Sequence, residues 1–228
     1  MKNDYAGRLE EFFTQFPQTG LKKGQIILQP NDKPAGVYFL KDGYVRMYSV
    51  FEDGRELTLN IFKPNTYFSM MWAIADIPIN SYFQTMTPTL LQLAPKNKLL
   101  EFINDNPDIL YDLTRRILIG LDGTIVNFQN LLSGRAYNRV IAALILSAKR
   151  FGKKGADNHV TIDLRLTHQD IASLAGITRE TASLKLETLQ KKALIHFEKH
   201  LLVIKNLKQL QDEAYLENSN DESDSYSY

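Results

Sequence analysis

The spacing of apolar positions changes character twice along the chain. Residues 5–16 carry Leu9, Phe12, Phe13 and Phe16 at helical intervals, which predicts a short amphipathic helix. From residue 20 to about 95 the apolar runs become short: Gln25–Leu28, Gly36–Leu40, Tyr44–Phe51, Glu56–Ile61, Tyr82–Met86 and Leu90–Leu93. Turn residues separate them, as in Lys23-Gly24, Pro30-Asn31-Asp32, Lys41-Asp42-Gly43, Glu52-Asp53-Gly54 and Lys63-Pro64-Asn65. Short strands at this spacing predict an antiparallel sandwich or barrel. Helical periodicity then returns. Lys96–Asn104 follows Pro95, and Pro107 suits the first turn of a longer helix. In that helix Leu110, Leu113, Ile117, Leu121, Ile125, Phe128 and Leu132 fall three or four apart and form one stripe, interrupted in propensity by Gly120 and Gly123. A stripe of this length needs a partner surface. A second copy of the same helix is the economical choice and predicts a homodimer; the chain's own β domain is the other candidate.

After a plausible hinge at Ser133-Gly134, Arg139–Phe151 predicts another amphipathic helix, Gly152–Asn158 a loop and His159–Leu164 a short strand. The stretch from Leu166 to Leu184 is the most informative. Thr167 precedes Asp170 by three residues, the spacing of a capping box at a helix start. That helix stops at Gly176, which can take the left-handed conformation of a tight inter-helix turn. A second helix runs from about Thr178 to Lys192. Ile171, Ala175, Ile177 and Ala182 make a compact inner face, and Arg179, Glu180 and Ser183 project from the first turns of the second helix. A recognition helix presents its base-contacting side chains there, where Arg can read a guanine edge and Glu can accept from cytosine. Leu194–Phe197 and Leu201–Ile204 flank Glu198-Lys199-His200 as a hairpin wing.

Charge sharpens this picture. The net charge of +1 hides a segment, 135–210, with 14 basic and 6 acidic side chains, followed by 211–228 with none and 6. A basic segment of this size attracts polyanions, and nucleic acid is the commonest. The final residues are rich in Ser, Asp, Glu and Asn and predict a disordered acidic tail. There are no cysteines, which excludes disulfides, thiolate metal sites and cysteine nucleophiles. The four histidines, His159, His168, His196 and His200, all fall in the basic half, so the β segment has none for haem or metal. No membrane-spanning run and no secretory leader are visible, so a cytoplasmic location is expected. Paired catalytic carboxylates, a nucleophile elbow and a phosphate cradle are missing too, which speaks against an enzyme.

Residues 15–207 resemble the Crp/Fnr superfamily of bacterial transcription regulators. The resemblance rests on Phe51-Glu52-Asp53-Gly54-Arg55-Glu56-Leu57, on Asn106-Pro107-Asp108-Ile109-Leu110 and above all on Thr178-Arg179-Glu180-Thr181. It implies that Arg179 and Glu180 read bases and that Thr167, His168, Gln169, Thr178 and Lys199 contact the DNA backbone. Leu184 departs from the Arg usual in the family, so one element of the usual half-site code is either lost or read through a thymine methyl. The cyclic-nucleotide cassette departs further. Where binders have Gly-Glu-Leu and an Arg-Ser/Thr pair, this chain has Ser69-Met70-Met71 and Asn80-Ser81. Neutral Asn80 cannot replace a guanidinium opposite a cyclic phosphate, and Met70 offers no acceptor for a ribose hydroxyl. Only Ser81 and Thr124 remain as polar matches.

The expected architecture is α+β, in four parts: a β-barrel or jelly-roll sensor domain (1–105), a dimerisation helix and hinge (106–134), a winged helix-turn-helix (135–210) and the acidic tail (211–228). The expected function is a homodimeric regulator binding an inverted repeat of double-stranded DNA, with RNA polymerase as a further partner and no cofactor or metal. Met70, Met71, Trp72, Asn80, Ser81, Tyr82 and Thr124 are the candidates for an effector site. Either the apolar members fill the core, or they line a site for an apolar or aromatic effector. The alternative is a cyclic-nucleotide-responsive regulator with an altered site.

Overall fold

The computed structural model describes residues 5–155 and 159–214. Most of the expected acidic tail, and residues 156–158 of the expected loop, lie outside the described residues. The chain divides into two compact units, Met1–Ser49 with Thr58–Thr124 and Val50–Leu57 with Ile125–Tyr228.

In the first unit, helix α1 (Tyr5–Thr14) precedes two four-stranded antiparallel sheets. One has the order β1 (Gln18–Leu21), β8 (Thr89–Ala94), β3 (Val37–Asp42), β6 (Thr66–Phe68). The other has β2 (Ile26–Leu28), β7 (Tyr82–Thr85), β4 (Val45–Val50), β5 (Glu56–Phe62). Leu28, Val45 and Phe83 from one sheet and Leu40, Phe68 and Leu91 from the other share one core cluster, so the sheets pack face to face. Aromatic rings fill the interior: Phe68 stacks on Tyr38 at 4.8 Å and on Phe83 at 5.3 Å between centroids. Short helices α2 (Met70–Ala75) and α3 (Lys96–Asp105) complete a second cluster with Phe13 and Phe39.

The strands that periodicity finds are present, within a residue or two of their expected bounds. Among the described residues, β1, β6, α2, the strand β9 (Gly152–Lys154) and the helical segment 207–214 escape it. β1 is an exposed edge strand without alternation, and β6 has three residues, too few for a period. At the entrance to α2, Ser69 adopts φ 64° although it is not glycine. Its buried hydroxyl donates to the Gly36 carbonyl at 2.9 Å, which offsets the cost of the left-handed backbone.

Helix α4 runs from Pro107 to Ser133. Of the seven apolar positions in its stripe, Leu113 is buried in the core of the first unit together with Ile109. Leu110, Ile117, Leu121, Ile125, Phe128 and Leu132 are exposed, and Tyr111 and Leu118 widen the same face.

The second unit comprises α5 (Ala136–Phe151), β9, β10 (Val160–Ile162), α6 (His168–Ala175), α7 (Arg179–Lys191), β11 (Ile195–Glu198) and β12 (Leu201–Ile204). The four strands form an antiparallel sheet ordered β11-β12-β10-β9. Val140, Ile141 and Leu144 of α5, Ile171 and Ala175 of α6, and Ala182, Leu186 and Leu189 of α7 are buried where the three helices pack. Residues 207–214 are also helical, with Leu210 fully buried.

Candidate nucleic-acid interface

Local chemistry sets both helices of the α6–α7 pair. The Thr167 hydroxyl accepts from the Asp170 N–H at 3.1 Å, and the Asp170 carboxylate accepts from the Thr167 N–H at 2.8 Å, a reciprocal capping box. α6 ends on Gly176 at φ 61°, with the Ile177 N–H donating to the Ala172 carbonyl and the Gly176 N–H to that of Ser173. This is the left-handed Schellman ending that glycine adopts without strain. Thr178 then caps α7 by accepting from the Thr181 N–H at 3.3 Å. Ala172 and Ala182, both fully buried, let the helices cross closely.

The consequence is a two-faced α7. Ala182, Leu186 and Leu189 point inward, whereas Glu180, Leu184 and Glu187 are exposed on the opposite side, and Arg179 is exposed in the first turn. Arg179 has no ion-pair partner among the described residues, so its guanidinium is uncommitted. Leu184 is 61% exposed, a large apolar side chain held out from the helix. Ser183 lies on the same face, and its hydroxyl sits 2.8 Å from His168 Nδ1. That pair ties the start of α6 to α7, and the His168 ring also lies 6.0 Å from that of Phe197 on β11. Gln169 is exposed beside it. The hydroxyls of Thr167 and Thr178 are engaged in capping, which leaves each helix's first N–H groups directed outward, the usual setting for a phosphate. β11 and β12 are joined by Lys199 and His200 alone, at φ 47° and 66°. Both thus adopt the left-handed conformation of a two-residue hairpin turn, and both are exposed at its tip.

Two devices in this unit are invisible to sequence periodicity. Tyr137 donates to the Glu213 carboxylate at 2.9 Å, and Lys192 pairs with the same carboxylate while lying 5.2 Å from the Tyr137 ring centroid. This triangle joins the start of α5, the end of α7 and the helical segment 207–214. Burial, reinforced by the Glu213 charge, pushes the Tyr137 hydroxyl up to about 12. Burial alone would raise Glu213, but the hydrogen bonds from Lys192 and Tyr137 hold it below the ordinary carboxylate value. The second device is Arg139. Its Nη2 donates to the Gly176 carbonyl at 2.9 Å and its Nη1 reaches the Leu131 carbonyl at 3.5 Å. No spacing rule distinguishes Arg139 from a solvated surface arginine.

The effector candidates of the first unit have no common exposure. Met70 is buried in the cluster with Phe13, Val37 and Leu99, and Ser81 is buried too. Trp72 packs against both core clusters, with Lys96 Nζ 5.0 Å from its ring centroid. Tyr82 stacks on Tyr48 at 5.2 Å. Met71, Asn80 and Thr124 are exposed, and the Thr124 hydroxyl donates to the Gly120 carbonyl of its own helix. Among the described residues no group of three or more His, Asp or Glu side chains could hold a metal ion, and no helix is long and apolar enough to cross a membrane.

Comparison with known proteins agrees with this geometry. Residues 138–213 match the family model of the Crp-like helix-turn-helix domain, and residues 18–106 that of the cyclic nucleotide-binding domain. The chain belongs to the Crp/Fnr superfamily. It is 28% identical over 189 residues to the global nitrogen regulator of Nostoc sp., covering 80% of this chain and 82% of that one. It is 29% identical over 200 residues to the CRP-like cAMP-activated global transcriptional regulator of Mycobacterium tuberculosis, covering 82% and 88%. Among solved structures, the CooA mutant from Carboxydothermus hydrogenoformans superposes with a TM-score of 0.77 at 21% identity, over 94% of this chain and 97% of that one. The c-di-GMP-responsive regulator CLP of Xanthomonas campestris does so with a TM-score of 0.73 at 24% identity, over 87% and 98%. The structural likeness establishes the fold, and the curated relatives are transcription regulators. This Crp/Fnr chain is accordingly a transcription regulator whose second unit is a DNA-binding domain.

Proposed function

We propose that two copies of the chain associate along α4 and bind an inverted repeat in double-stranded DNA, without control by a cyclic nucleotide. The observation that carries this reading is the exposed face of α7. Arg179 and Glu180 stand uncapped by other side chains at the helix N-terminus, the end that enters a major groove. Arg179 reads a guanine, Glu180 accepts from a cytosine amine, and Leu184 meets a thymine methyl. The helix starts at Thr167 and Thr178, with His168 and Gln169, and Lys199 on the wing engage phosphates. Ser183 holds His168 in place and stands beside these base-reading side chains. Dimerisation is supported by the exposed apolar face of α4, which would otherwise stay in water. Two-fold symmetry then places the half-sites about one helical turn apart. A cytoplasmic regulator bound at a promoter has RNA polymerase as its further partner.

On the sensor side, Met70 and Asn80 replace the groups that would hold a ribose and a cyclic phosphate. The interior between the sheets is occupied by Tyr38, Phe62, Phe68 and Phe83. The effector, if the unit takes one, is apolar or aromatic. A second reading, a cyclic-nucleotide-responsive regulator with an altered site, is favoured by the family model over residues 18–106 and by the cAMP-activated relative. Titration calorimetry with cyclic AMP and cyclic GMP separates the two. Our reading expects no heat of binding up to millimolar ligand and an unchanged affinity for DNA. A micromolar dissociation constant establishes the second reading.

A further inference from the structure

A cation in the first turn of a helix faces the positive end of its dipole, which is unfavourable there. Arg139 lies in the first turn of α5 and is partly buried, yet no carboxylate partners it among the described residues. Its guanidinium instead meets two backbone carbonyls, each at the C-terminal end of a helix. The Leu131 carbonyl belongs to the last turn of α4, and the Gly176 carbonyl to the residue that ends α6. Those ends carry partial negative charge and unsatisfied acceptors. A planar fork of fixed N–H donors is well suited to serve two carbonyls from one side chain. Packing follows the same line. The Leu131 side chain lies 3.4 Å from where a Cβ on Gly176 would be, and a Cβ on Gly134 would come within 3.4 Å of the Arg139 stem. Leu131, Gly134, Arg139 and Gly176 thus form one tight junction between the end of α4 and the turn of the helix-turn-helix.

We propose that Arg139 is a positioning residue that fixes the recognition helix to the end of the dimerisation helix and thereby sets the half-site spacing the dimer accepts. The inference rests on the reading of the chain as a dimer on an inverted repeat. In such a dimer the second half-site is engaged intramolecularly, and its effective concentration depends on how stiffly the two recognition helices are held apart. A stiff link selects one spacing sharply; a loose link accepts several, each more weakly. Arg139 bonds to the turn before α7 and to none of the side chains exposed on that helix, so its loss leaves the contacts within one half-site intact.

The test uses the full-length chain, with the inverted repeat recovered from a random DNA pool by the wild type. Arg139→Gln, Arg139→Lys and wild type are compared on that duplex, on duplexes with the spacing changed by one and two base pairs either way, and on a single half-site. Light scattering and thermal melting accompany the binding data. Arg139→Gln should stay dimeric and folded and keep half-site affinity within about threefold. It should lose about tenfold on the best spacing and flatten the spacing profile, the pattern expected when effective concentration falls. Arg139→Lys, which can serve one carbonyl, should fall between. A sharp, unshifted spacing profile in both variants overturns the inference and leaves the dimer reading standing. Equal losses on the half-site and the full repeat also overturn it, because they assign Arg139 to domain stability or to direct contact. A wild type that recovers no inverted repeat overturns the dimer reading and the inference with it.

Discussion

The two units treat their informative residues in opposite ways. In the winged unit, the positions that carry chemistry stand on the surface: Arg179, Glu180 and Leu184 project from a helix whose other face is packed, and Lys199 caps a hairpin tip. In the β unit, Met70 and Ser81 are buried and stacked rings fill the space between the sheets, while Met71 and Asn80 face outward. The motif of the output region is therefore free to act on a ligand as large as DNA. The cassette of the first unit is divided instead, with Met70 and Ser81 taken into packing and Met71 and Asn80 left exposed. A motif's spacing can survive while its chemistry is lost, because spacing is maintained by the fold and chemistry by the ligand.

The contrast can be broken most forcefully by restoring the family's usual residues in each unit. Met70→Glu places a carboxylate in the apolar cluster with Phe13, Val37 and Leu99. It should cost roughly 3 kcal/mol or more in thermal or urea denaturation, as burial of a charge in an apolar core does. Leu184→Arg changes an exposed position and should stay within about 0.5 kcal/mol of wild type. Similar losses for both would erase the distinction drawn between the two units.

Next in size is the apolar face of α4 that stays exposed. Ile117→Glu with Leu121→Glu puts charges on the exposed face of α4. Light scattering should show monomers, and DNA affinity should fall about 100-fold or more as bivalent binding is lost. A double variant that remains dimeric would place the interface elsewhere.

The smallest expected effect concerns the Tyr137–Lys192–Glu213 triangle. Glu213 is held below its ordinary value in the folded chain, so the stability it contributes is present above the unfolded value, near 4.3 for a glutamate. That stability is lost as the pH falls through the lower folded value. Glu213→Gln should therefore cost roughly 1 kcal/mol at pH 7, the upper range for a partly exposed pair. Its melting curve should converge with that of wild type on acidification below about pH 4. Parallel curves across that window would assign the triangle no ionic role.

Most of this fold is legible in the residues. Gly176, Thr167 with Asp170, and the Lys199-His200 tip are local signals, and local hydrogen bonds satisfy them in the structure as backbone chemistry requires. The helix bounds of α4, α6 and α7 follow from period and capping alone. What escaped was decided by tertiary contact. α2 is six residues long and is held by the left-handed Ser69 and Asp76 at its ends. β1 and β6 exist because β8 and β3 offer them partners. Leu113 belongs to the same stripe as Ile117 by spacing, but the core of the first unit claims it. Ser183 has the spacing of a base-reading side chain, and its bond to His168 became visible only in three dimensions. Arg139 escaped for the same reason: its partners are carbonyls, which carry no sequence signature.

In the proposed mode of action, α7 of the winged unit reads DNA with Arg179 and the β unit needs no nucleotide. The most direct measurement is selection from a random double-stranded DNA pool by the purified full-length chain, without additives, for wild type, Arg179→Ala and Lys199→Ala in parallel. Wild type should enrich an inverted repeat. Arg179→Ala should lose roughly 1–3 kcal/mol on that repeat and relax selection at one guanine per half-site. Lys199→Ala should keep the same motif, weaken all sequences about equally and flatten the salt dependence by about one unit. Enrichment that depends on added cyclic nucleotide, or a motif unchanged by Arg179→Ala and altered by Lys199→Ala, would contradict the account.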